Sequence, residues 1–275
     1  MPTVSLTCGE LDYTDSGGDG PVAVFTHGVL MNSDIWTKVI DQLAPQIRCI
    51  APTLPLGSHA HAMREGTDLS IPGIADIVGE FLDRLQLSNV TLVVNDVGAP
   101  MQVATHGHSA VTKLALVACE AFTDLCPGQR GRNLKRFAGI PDGLRAALAL
   151  LRAPGAGKVP ATFGRMSKRG VSALMLKNWT AHALADDGVR NDLRRYLIAS
   201  SPEDLDAATC RLPEFSGRTL VVWNTEERQL APDHGPMLRD FIPGCQYVEI
   251  ADSYTLVPID QPVVLADVLR DFILS

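Results

Sequence analysis

VTLVVNDVGAP, residues 90–100, is an apolar, β-branched run that leads directly into Asn95, Asp96, Val97 and Gly98. Such a run is typical of a strand buried inside a sheet. A strand that ends in x-nucleophile-x-Gly and continues into a helix predicts a tight turn, the nucleophile elbow, which lifts the central side chain above the strand ends. We therefore predict that Asp96 projects into a site. The alternative is that Asp96 only caps the following helix.

Further apolar runs bounded by turn residues recur along the chain and predict more buried strands. These runs are VAVFTHG (22–28), IRCIAP (47–52), KLALVAC (113–119), TLVVWN (219–224) and QYVEI (246–250). Segments with helical periodicity lie between them, for example the one that follows Ser70, a predicted N-cap. This alternation predicts an α/β fold with a mostly parallel sheet and helices on both faces. VSLTCG and LDYTD at the start predict an antiparallel hairpin on the sheet edge.

One long stretch, residues 123–215, has helical patterns without a strand pattern. We predict that residues 1–122 and 216–275 form the core and that residues 123–215 form a helical cap over the strand ends. Residues 129–177 hold eleven Lys and Arg against one acid, Asp142. This basic run could attract an anionic substrate, or it could be a solvated helical face.

The composition favours a globular enzyme and argues against several other classes. The chain has 275 residues, of which 46% are hydrophobic and 20% charged, and its net charge is −7. An acidic chain whose basic run lacks interleaved aromatic residues is not expected to bind nucleic acid. Without a signal-peptide pattern or 18 successive apolar residues, we expect a cytoplasmic protein that does not enter membranes. The scattered cysteines predict free thiols rather than a metal site. The sequence has no dinucleotide-binding or phosphate-binding fingerprint, so we expect no cofactor.

A second motif lies at the end of the first buried strand, where His27 and Gly28 precede Val29. Residues after such a pair commonly donate backbone N–H groups to an oxyanion hole. We therefore predict that the N–H groups of Val29 and Val97 form one. His27 itself is interpreted as a structural histidine that holds this loop.

The order of these motifs resembles the α/β-hydrolase superfamily over nearly the whole chain. The matching features are the HG pair, the elbow, the helical cap, the WNTEERQLAP segment and the final helix. An aspartate at the elbow is similar to haloalkane dehalogenases and epoxide hydrolases, where it forms an ester that a histidine-activated water cleaves. The chain looks most like a group of actinobacterial hydrolases that share an NDxG elbow, a PLGxH loop and a DSYT-PxDQP end.

The resemblance implies further site residues. Glu227 stands at the family's acid position, and Glu120 stands at a second acid position that some dehalogenases use. Either glutamate could instead be merely solvated. Thr255 occupies the place of the family's histidine, and a threonine cannot accept a proton near neutral pH. Asn95 and Tyr254, which neighbour these positions, are expected in the pocket or in its support.

Another histidine could replace the missing one. His59, in the loop LPLGSHAHAM, is the first candidate, although a loop histidine is more often only exposed. The resemblance does not extend to the two best-known activities. Val29 and Val97 stand where dehalogenases carry halide-binding donors, and Tyr196 is the single tyrosine of the predicted cap where epoxide hydrolases need two.

We therefore predict an enzyme that acts, without a cofactor, on a small and largely apolar organic molecule between core and cap. In the first version the reaction is hydrolysis, with Asp96 as nucleophile or base and His59 or Glu227 assisting. In the second, Asp96 is the general base of an elimination, isomerisation or cyclisation. A rival from another class is a ligand-binding protein that has lost catalysis, which the threonine at position 255 would explain.

Overall fold

The computed structural model describes residues 1–126 and 128–275, without the side chain of Gln129. Its centre is an eight-stranded sheet in which the strands are ordered β1-β2-β4-β3-β5-β6-β7-β8. The strands are β1 (Thr3–Leu6), β2 (Gly9–Asp15), β3 (Val22–Phe25), β4 (Arg48–Pro52), β5 (Val90–Asp96), β6 (Val111–Cys119), β7 (Arg218–Asn224) and β8 (Gln246–Ile250). The α/β fold predicted from the alternating runs is confirmed.

The sheet is parallel except at one edge. β1 pairs with β2 and β2 pairs with β4 in antiparallel register, whereas every pairing from β4 to β8 is parallel. Every residue of β5 is buried, as expected for a strand covered on both sides. Because β3, β5, β6 and β7 are parallel neighbours, the residues that follow their carboxyl ends lie along one edge of the sheet.

The helices are packed around this sheet in separate groups. They are α1 (Thr37–Leu43), α2 (Ile71–Arg84), α3 (Met101–Thr105), α4 (Gly128–Ala138), α5 (Gly143–Leu150), α6 (Ala173–Ala185), α7 (Asp187–Ala199), α8 (Pro202–Cys210), α9 (His234–Phe241), α10 (Val257–Asp260) and α11 (Pro262–Leu274). α1 packs against α11, and α2 packs against α3. The hydroxyl of Ser70 accepts a hydrogen bond from the N–H of Gly73, so this residue caps α2 as predicted.

Helices α4 to α8, here called the inserted helices, lie between β6 and β7. The described residues between these two strands form no further strand. Among the inserted helices, α8 packs against α2 and α3. The predicted domain boundaries at residues 123 and 215 remain a prediction. In the described part of the chain, no helix is both long and apolar enough to cross a membrane.

Candidate active site

Asp96 ends β5 on a sharp turn. Its φ is 63°, in the left-handed region that few non-glycine residues occupy, and the residue is 5% exposed. Two residues packed against this turn, Gly28 and Gly98, leave the space that it needs because glycine has no Cβ. A Cβ built on Gly28 would lie 1.8 Å from Oδ2 of Asp96, and one built on Gly98 would lie 2.3 Å from the carbonyl oxygen of Glu120. The turn that the NDVG sequence predicts is therefore present, and it presents a buried carboxylate.

Glu120 follows β6 and lies next to Asp96. The backbone N–H of Glu120 donates to the carbonyl oxygen of Asp96 at 2.7 Å, which extends the pairing of the two strands. The carboxylate of Glu120 accepts hydrogen bonds from the N–H groups of Cys126, at 2.8 Å, and Gly98. Its second oxygen, Oε2, is buried and has no hydrogen-bond partner among the described residues. The two carboxyl groups therefore share one buried region.

Burial dominates the protonation of this pair. It raises the pKa of Asp96 to about 6, with a further rise from the charge of Glu227, while the charge of Arg130 and the N–H of Val29 lower it. Burial and the charge of Asp96 raise the pKa of Glu120 well above its usual range. Both carboxyl groups therefore bind a proton more tightly than exposed carboxyl groups do, chiefly because they are buried.

The peptide groups around Asp96 are already engaged. The N–H of Val29 donates to the carboxylate of Asp96 itself. The N–H of Val97 donates to the carbonyl oxygen of Asn95 at 2.9 Å, within the elbow. In this arrangement neither N–H group is directed toward a separate oxyanion position, so the predicted oxyanion hole stays a prediction.

Arg130 brings a positive charge from α4 to this site, and it is 6% exposed. Its Nη2 donates to the carbonyl oxygen of Val29 at 2.8 Å. Its guanidinium lies over the ring of Phe163, 4.4 Å from the ring centroid. No ion pair within 4.0 Å joins this guanidinium to a carboxylate of the described residues. Arg130 therefore faces Asp96 across a gap rather than in direct contact.

Glu227 and Thr255 contact each other directly. The hydroxyl of Thr255 donates to Oε1 of Glu227 at 2.7 Å. The same oxygen accepts from the N–H groups of residues 228 and 229, both at 2.7 Å, and 230, at 3.2 Å, while Asn224 donates to Oε2. Both carboxylate oxygens of Glu227 are therefore occupied by donors from its own loop, Asn224 and Thr255, and neither is left free to contact a substrate.

Asn95 ties the elbow to the loop that carries Thr255. Its Nδ2 donates to the carbonyl oxygens of Val117, at 2.8 Å, and Thr255, at 3.0 Å. The N–H of Tyr254 donates to Asp260 at 3.1 Å, and the guanidinium of Arg228 lies 4.5 Å from its ring centroid. Asn95 therefore supports the elbow directly, whereas the contacts of Tyr254 are with Asp260 and Arg228.

The structure does not bring His59 to Asp96. His59 is 2% exposed, and its Nε2 lies 3.2 Å from Oδ2 of Asp192 on α7, with its Nδ1 3.4 Å from the N–H of Gly57. His27 lies under the loop, where Nδ1 is 2.9 Å from the carbonyl oxygen of Gly28 and Nε2 is 2.9 Å from the N–H of Leu54. Burial lowers the pKa of His27 to about 4, so this histidine is neutral.

Two cavities adjoin at Arg130. The first has a volume of about 10 Å³, near the least that holds one water molecule. It is lined by Val29, Asp96, Glu120, Cys126, Arg130, Gly131, Leu134, Leu197 and Gln229. The second has a volume of about 200 Å³ and is mostly apolar. It is lined by Leu30, Arg130, Asn133, Leu134, Phe137, Ala147, Leu150, Leu151, Ala161 and Thr162. Arg130 and Leu134 separate the two spaces, and no histidine borders either of them among the described residues.

From the sequence alone, Arg130 is one member of the basic run of residues 129–177. A usable signal was present, because Arg130 shares one helical face with Leu134 and Ala138 at intervals of four residues. All three are buried, whereas Arg132 and Arg136 of the same helix are exposed. A charged residue in register with apolar ones on an amphipathic helix indicates a buried charge.

The described residues hold no group of three or more His, Cys, Asp or Glu that could bind a metal ion. The donors beside Asp96 are carboxyl groups, peptide N–H groups and one guanidinium. This set can transfer a proton and stabilise negative charge, which is chemistry of acid–base type.

Comparison with known proteins agrees with this architecture. Residues 23–268 match the family model described as "Alpha/beta hydrolase family". The chain is 26% identical over 269 residues to an uncharacterized protein of Mycobacterium tuberculosis, covering 93% of this chain and 76% of that protein. It is 29% identical over 149 residues to a haloalkane dehalogenase of Mesorhizobium japonicum, covering 54% of this chain and 45% of the relative.

Solved structures share the fold at low sequence identity. An α/β-hydrolase-fold protein from Burkholderia ambifaria aligns with a TM-score of 0.80 and 19% identity, covering 98% of this chain and 97% of that chain. A putative ancestral haloalkane dehalogenase aligns with a TM-score of 0.79 and 17% identity, covering 100% of this chain and 98% of that one. At such identities the likeness concerns the fold alone.

Proposed function

Because the chain belongs to the alpha/beta hydrolase family, we propose that it hydrolyses a small, largely apolar organic molecule, with Asp96 as a general base that activates water. The observation that carries this proposal is a buried carboxylate on the elbow turn, facing a cavity whose described lining contains no histidine. The substrate's apolar part would lie in the adjoining cavity of about 200 Å³.

A basic role for Asp96 is favoured over a covalent one by what surrounds it. A covalent ester on Asp96 would need a second group to activate the water that releases it. Thr255 cannot accept that proton, and its hydroxyl already donates to Glu227. Burial raises the pKa of Asp96 to about 6, which is suitable for a base that works near neutral pH.

The relationship to haloalkane dehalogenases supports the reaction class without fixing the substrate. Those relatives are similar over only part of this chain, and Val29 and Val97 differ from the donors that the resemblance would require. Esters and lactones are therefore the first candidate substrates, and alkyl halides and epoxides are tested beside them because of the partial similarity to haloalkane dehalogenases. All four can be hydrolysed by a water molecule that has lost a proton to a carboxylate.

Glu120 favours a second candidate, a non-hydrolytic acid–base reaction. Asp96 and Glu120 lie together and both have raised pKa values, so one can accept a proton while the other donates one. Such a pair suits an isomerisation, elimination or cyclisation in which a proton leaves one atom and another atom gains one. The cavity beside them is too small for more than about one water molecule, so bulk water is kept out.

The test is turnover of a mixed panel of esters, lactones, epoxides and alkyl halides by wild type and Asp96→Asn, with product analysis and intact-protein mass spectrometry. Asp271→Asn, a change of the same kind at an exposed position of α11, is the matched control. We expect hydrolysed product, no lasting adduct, and a loss of at least about 100-fold in Asp96→Asn but not in Asp271→Asn.

Three other outcomes have distinct meanings. A lasting adduct in wild type alone would make Asp96 a covalent nucleophile. Rearranged or eliminated product without incorporation of water would favour the second candidate. Turnover by Asp96→Asn at the wild-type rate would contradict a catalytic role for Asp96 and leave the ligand-binding interpretation.

A further inference from the structure

Arg130 is a buried cation whose position the proposed reaction does not explain. It comes from α4, where the other arginines, Arg132 and Arg136, point to solvent. Burying a charged group costs free energy unless partners compensate it. Among the described residues, Arg130 contacts the carbonyl oxygen of Val29 and the ring of Phe163. Neither of these carries a negative charge.

The nearest carboxylates do not neutralise Arg130 by direct contact. Among the described residues, no carboxylate oxygen lies within 4.0 Å of its guanidinium. Asp96 and Glu120 border the same cavity of about 10 Å³, so a small space separates them from Arg130. The charge of Arg130 lowers the pKa of Asp96, so the two side chains interact across this space.

Val29 lies between Asp96 and Arg130 and contacts both side chains through its backbone. Its N–H donates to Asp96 and its carbonyl oxygen accepts from Arg130. The ring of Phe163 lies against the guanidinium and restricts its motion. Arg130 is thereby oriented toward the space beside Asp96 before anything binds there. Such preorganised donors stabilise negative charge strongly in a site that excludes water.

We propose that Arg130 is the anion-binding residue of this site and that its guanidinium takes the negatively charged group of the bound molecule. This inference rests on the proposed function for the location of the substrate. The planar guanidinium suits a carboxylate or another small anion. The charge can come from a carboxylate that the substrate carries, or it can develop on a group that leaves as the reaction proceeds.

The larger cavity indicates where the rest of such a molecule lies. Arg130 is the one charged side chain in its described lining, which otherwise contains mainly leucines, alanines and Phe137. A ligand with its charged end at Arg130 can place an apolar body there. The substrate class is therefore a small organic molecule with an apolar body and one group that is, or becomes, anionic.

The experiment measures binding of simple anions and does not require turnover. Formate, acetate, butanoate, hexanoate and bromide are titrated at constant ionic strength, with the melting temperature and tryptophan fluorescence as readouts. Trp179 is a suitable reporter because its ring centroid lies 5.3 Å from that of Phe163, the ring that contacts Arg130. We expect saturable binding to wild type, at least tenfold weaker binding to Arg130→Gln, and unchanged binding to Arg132→Gln.

The chain-length series distinguishes the two sources of the charge. If the substrate carries a carboxylate, affinity should rise by about fourfold for each methylene that enters the apolar cavity. If the anion is a leaving group, formate and bromide should bind at least as tightly as hexanoate. Both results support an anion site at Arg130.

Two further variants keep the proposal testable if Arg130→Gln folds poorly. Arg130→Lys retains the charge and should still bind the same anions measurably. Binding should be weaker because a lysine lacks the planar guanidinium that donates two parallel N–H groups. Asp96→Asn removes a repelling carboxylate across the cavity and should tighten anion binding by tenfold or more. Absence of saturable binding to wild type, or equal binding to wild type and Arg130→Gln, would overturn the proposal. Failure of the proposed function would appear separately, as turnover by Asp96→Asn.

Discussion

The chemistry of the site depends on Asp96 being ionised when it acts. Its pKa is raised to about 6, chiefly by burial, so the ionised fraction increases as the pH rises through that value. We predict that kcat/KM increases about tenfold per pH unit below pH 6 and reaches a plateau above about pH 7. The measurement is the pH dependence of kcat/KM for any panel substrate that is turned over.

A variant tests the cause of this pH profile. The charge of Arg130 lowers the pKa of Asp96, so Arg130→Gln should move the midpoint to higher pH. Arg132→Gln, which removes an exposed charge from the same helix, should leave it in place. A wild-type midpoint near pH 4 would contradict the burial argument.

The same raised pKa predicts a stability effect whose sign depends on pH. Because the folded state binds this proton more tightly than the unfolded state, the associated stability is present below about pH 4 and is lost as the pH rises through about 6. At pH 8 the loss is on the order of 3 kcal/mol. Asp96→Asn, which is always neutral, should therefore be more stable than wild type at pH 8 and similar to it at pH 4. Denaturant unfolding at both pH values checks this, with Asp271→Asn as the control that should show no such difference.

Gly28 leaves the space that the Asp96 carboxylate occupies. A Cβ there would lie 1.8 Å from Oδ2 of Asp96, so Gly28→Ala must displace the carboxylate or the loop. We predict a loss of turnover of at least about 100-fold, the effect of misplacing a catalytic group. Gly139→Ala is the matched control, because the nearest atom to its added Cβ would be 3.5 Å away. Wild-type turnover by Gly28→Ala would show that the observed position of Asp96 is not required.

At the scale of elements, the inserted helices are fastened to the core through Asp192. Its Oδ2 accepts from the N–H of Met63 at 2.7 Å and lies 3.2 Å from Nε2 of His59. Both side chains of this pair are 3% exposed. His59 therefore connects the loop after β4 to α7, which is a structural position and not a contact with Asp96.

Removing this connection should loosen the cover of the site. In Asp192→Ala, we predict faster hydrogen exchange in residues 57–63 and in α7, with little change in β5 and β6, because a buried pair is broken while the sheet is untouched. Asn191→Ala changes an exposed neighbour on the same helix and should exchange like wild type. Equal protection of α7 in both variants would exclude this fastening role.

The strands and the elbow could be predicted because their signals are local. Apolar β-branched runs mark each strand of the parallel sheet, and the NDVG sequence marks the turn at Asp96. The hydrogen bond from Thr255 to Glu227 was harder to predict from the sequence, because it joins residues 28 positions apart. Arg130 was missed for a related reason: its role depends on how α4 packs on the core, which helical periodicity alone does not determine. The same limit applies to His59, whose contact with Asp192 spans 133 positions.

At the scale of the whole molecule, the core and the inserted helices together enclose the site. The space beside Asp96 has a volume of about 10 Å³, whereas the apolar cavity beyond Arg130 has about 200 Å³. A substrate that reaches Asp96 must therefore displace Arg130 or Leu134, or separate α4 from the core. In the basic run of residues 129–177, Arg130 is buried between the two cavities, whereas the other Lys and Arg side chains are exposed on the outer surface.

The most direct test is a single turnover in H₂¹⁸O, with enzyme in excess over the best alkyl halide or epoxide of the panel, for which a covalent intermediate would be an alkyl ester of Asp96. If Asp96 acts as a general base, the oxygen added to the product comes from water, so the first product carries ¹⁸O and the peptide containing Asp96 keeps its mass. This is the result that we predict. Unlabelled product together with ¹⁸O in the carboxylate of Asp96 would contradict it, because the added oxygen would then have come from a covalent ester on Asp96.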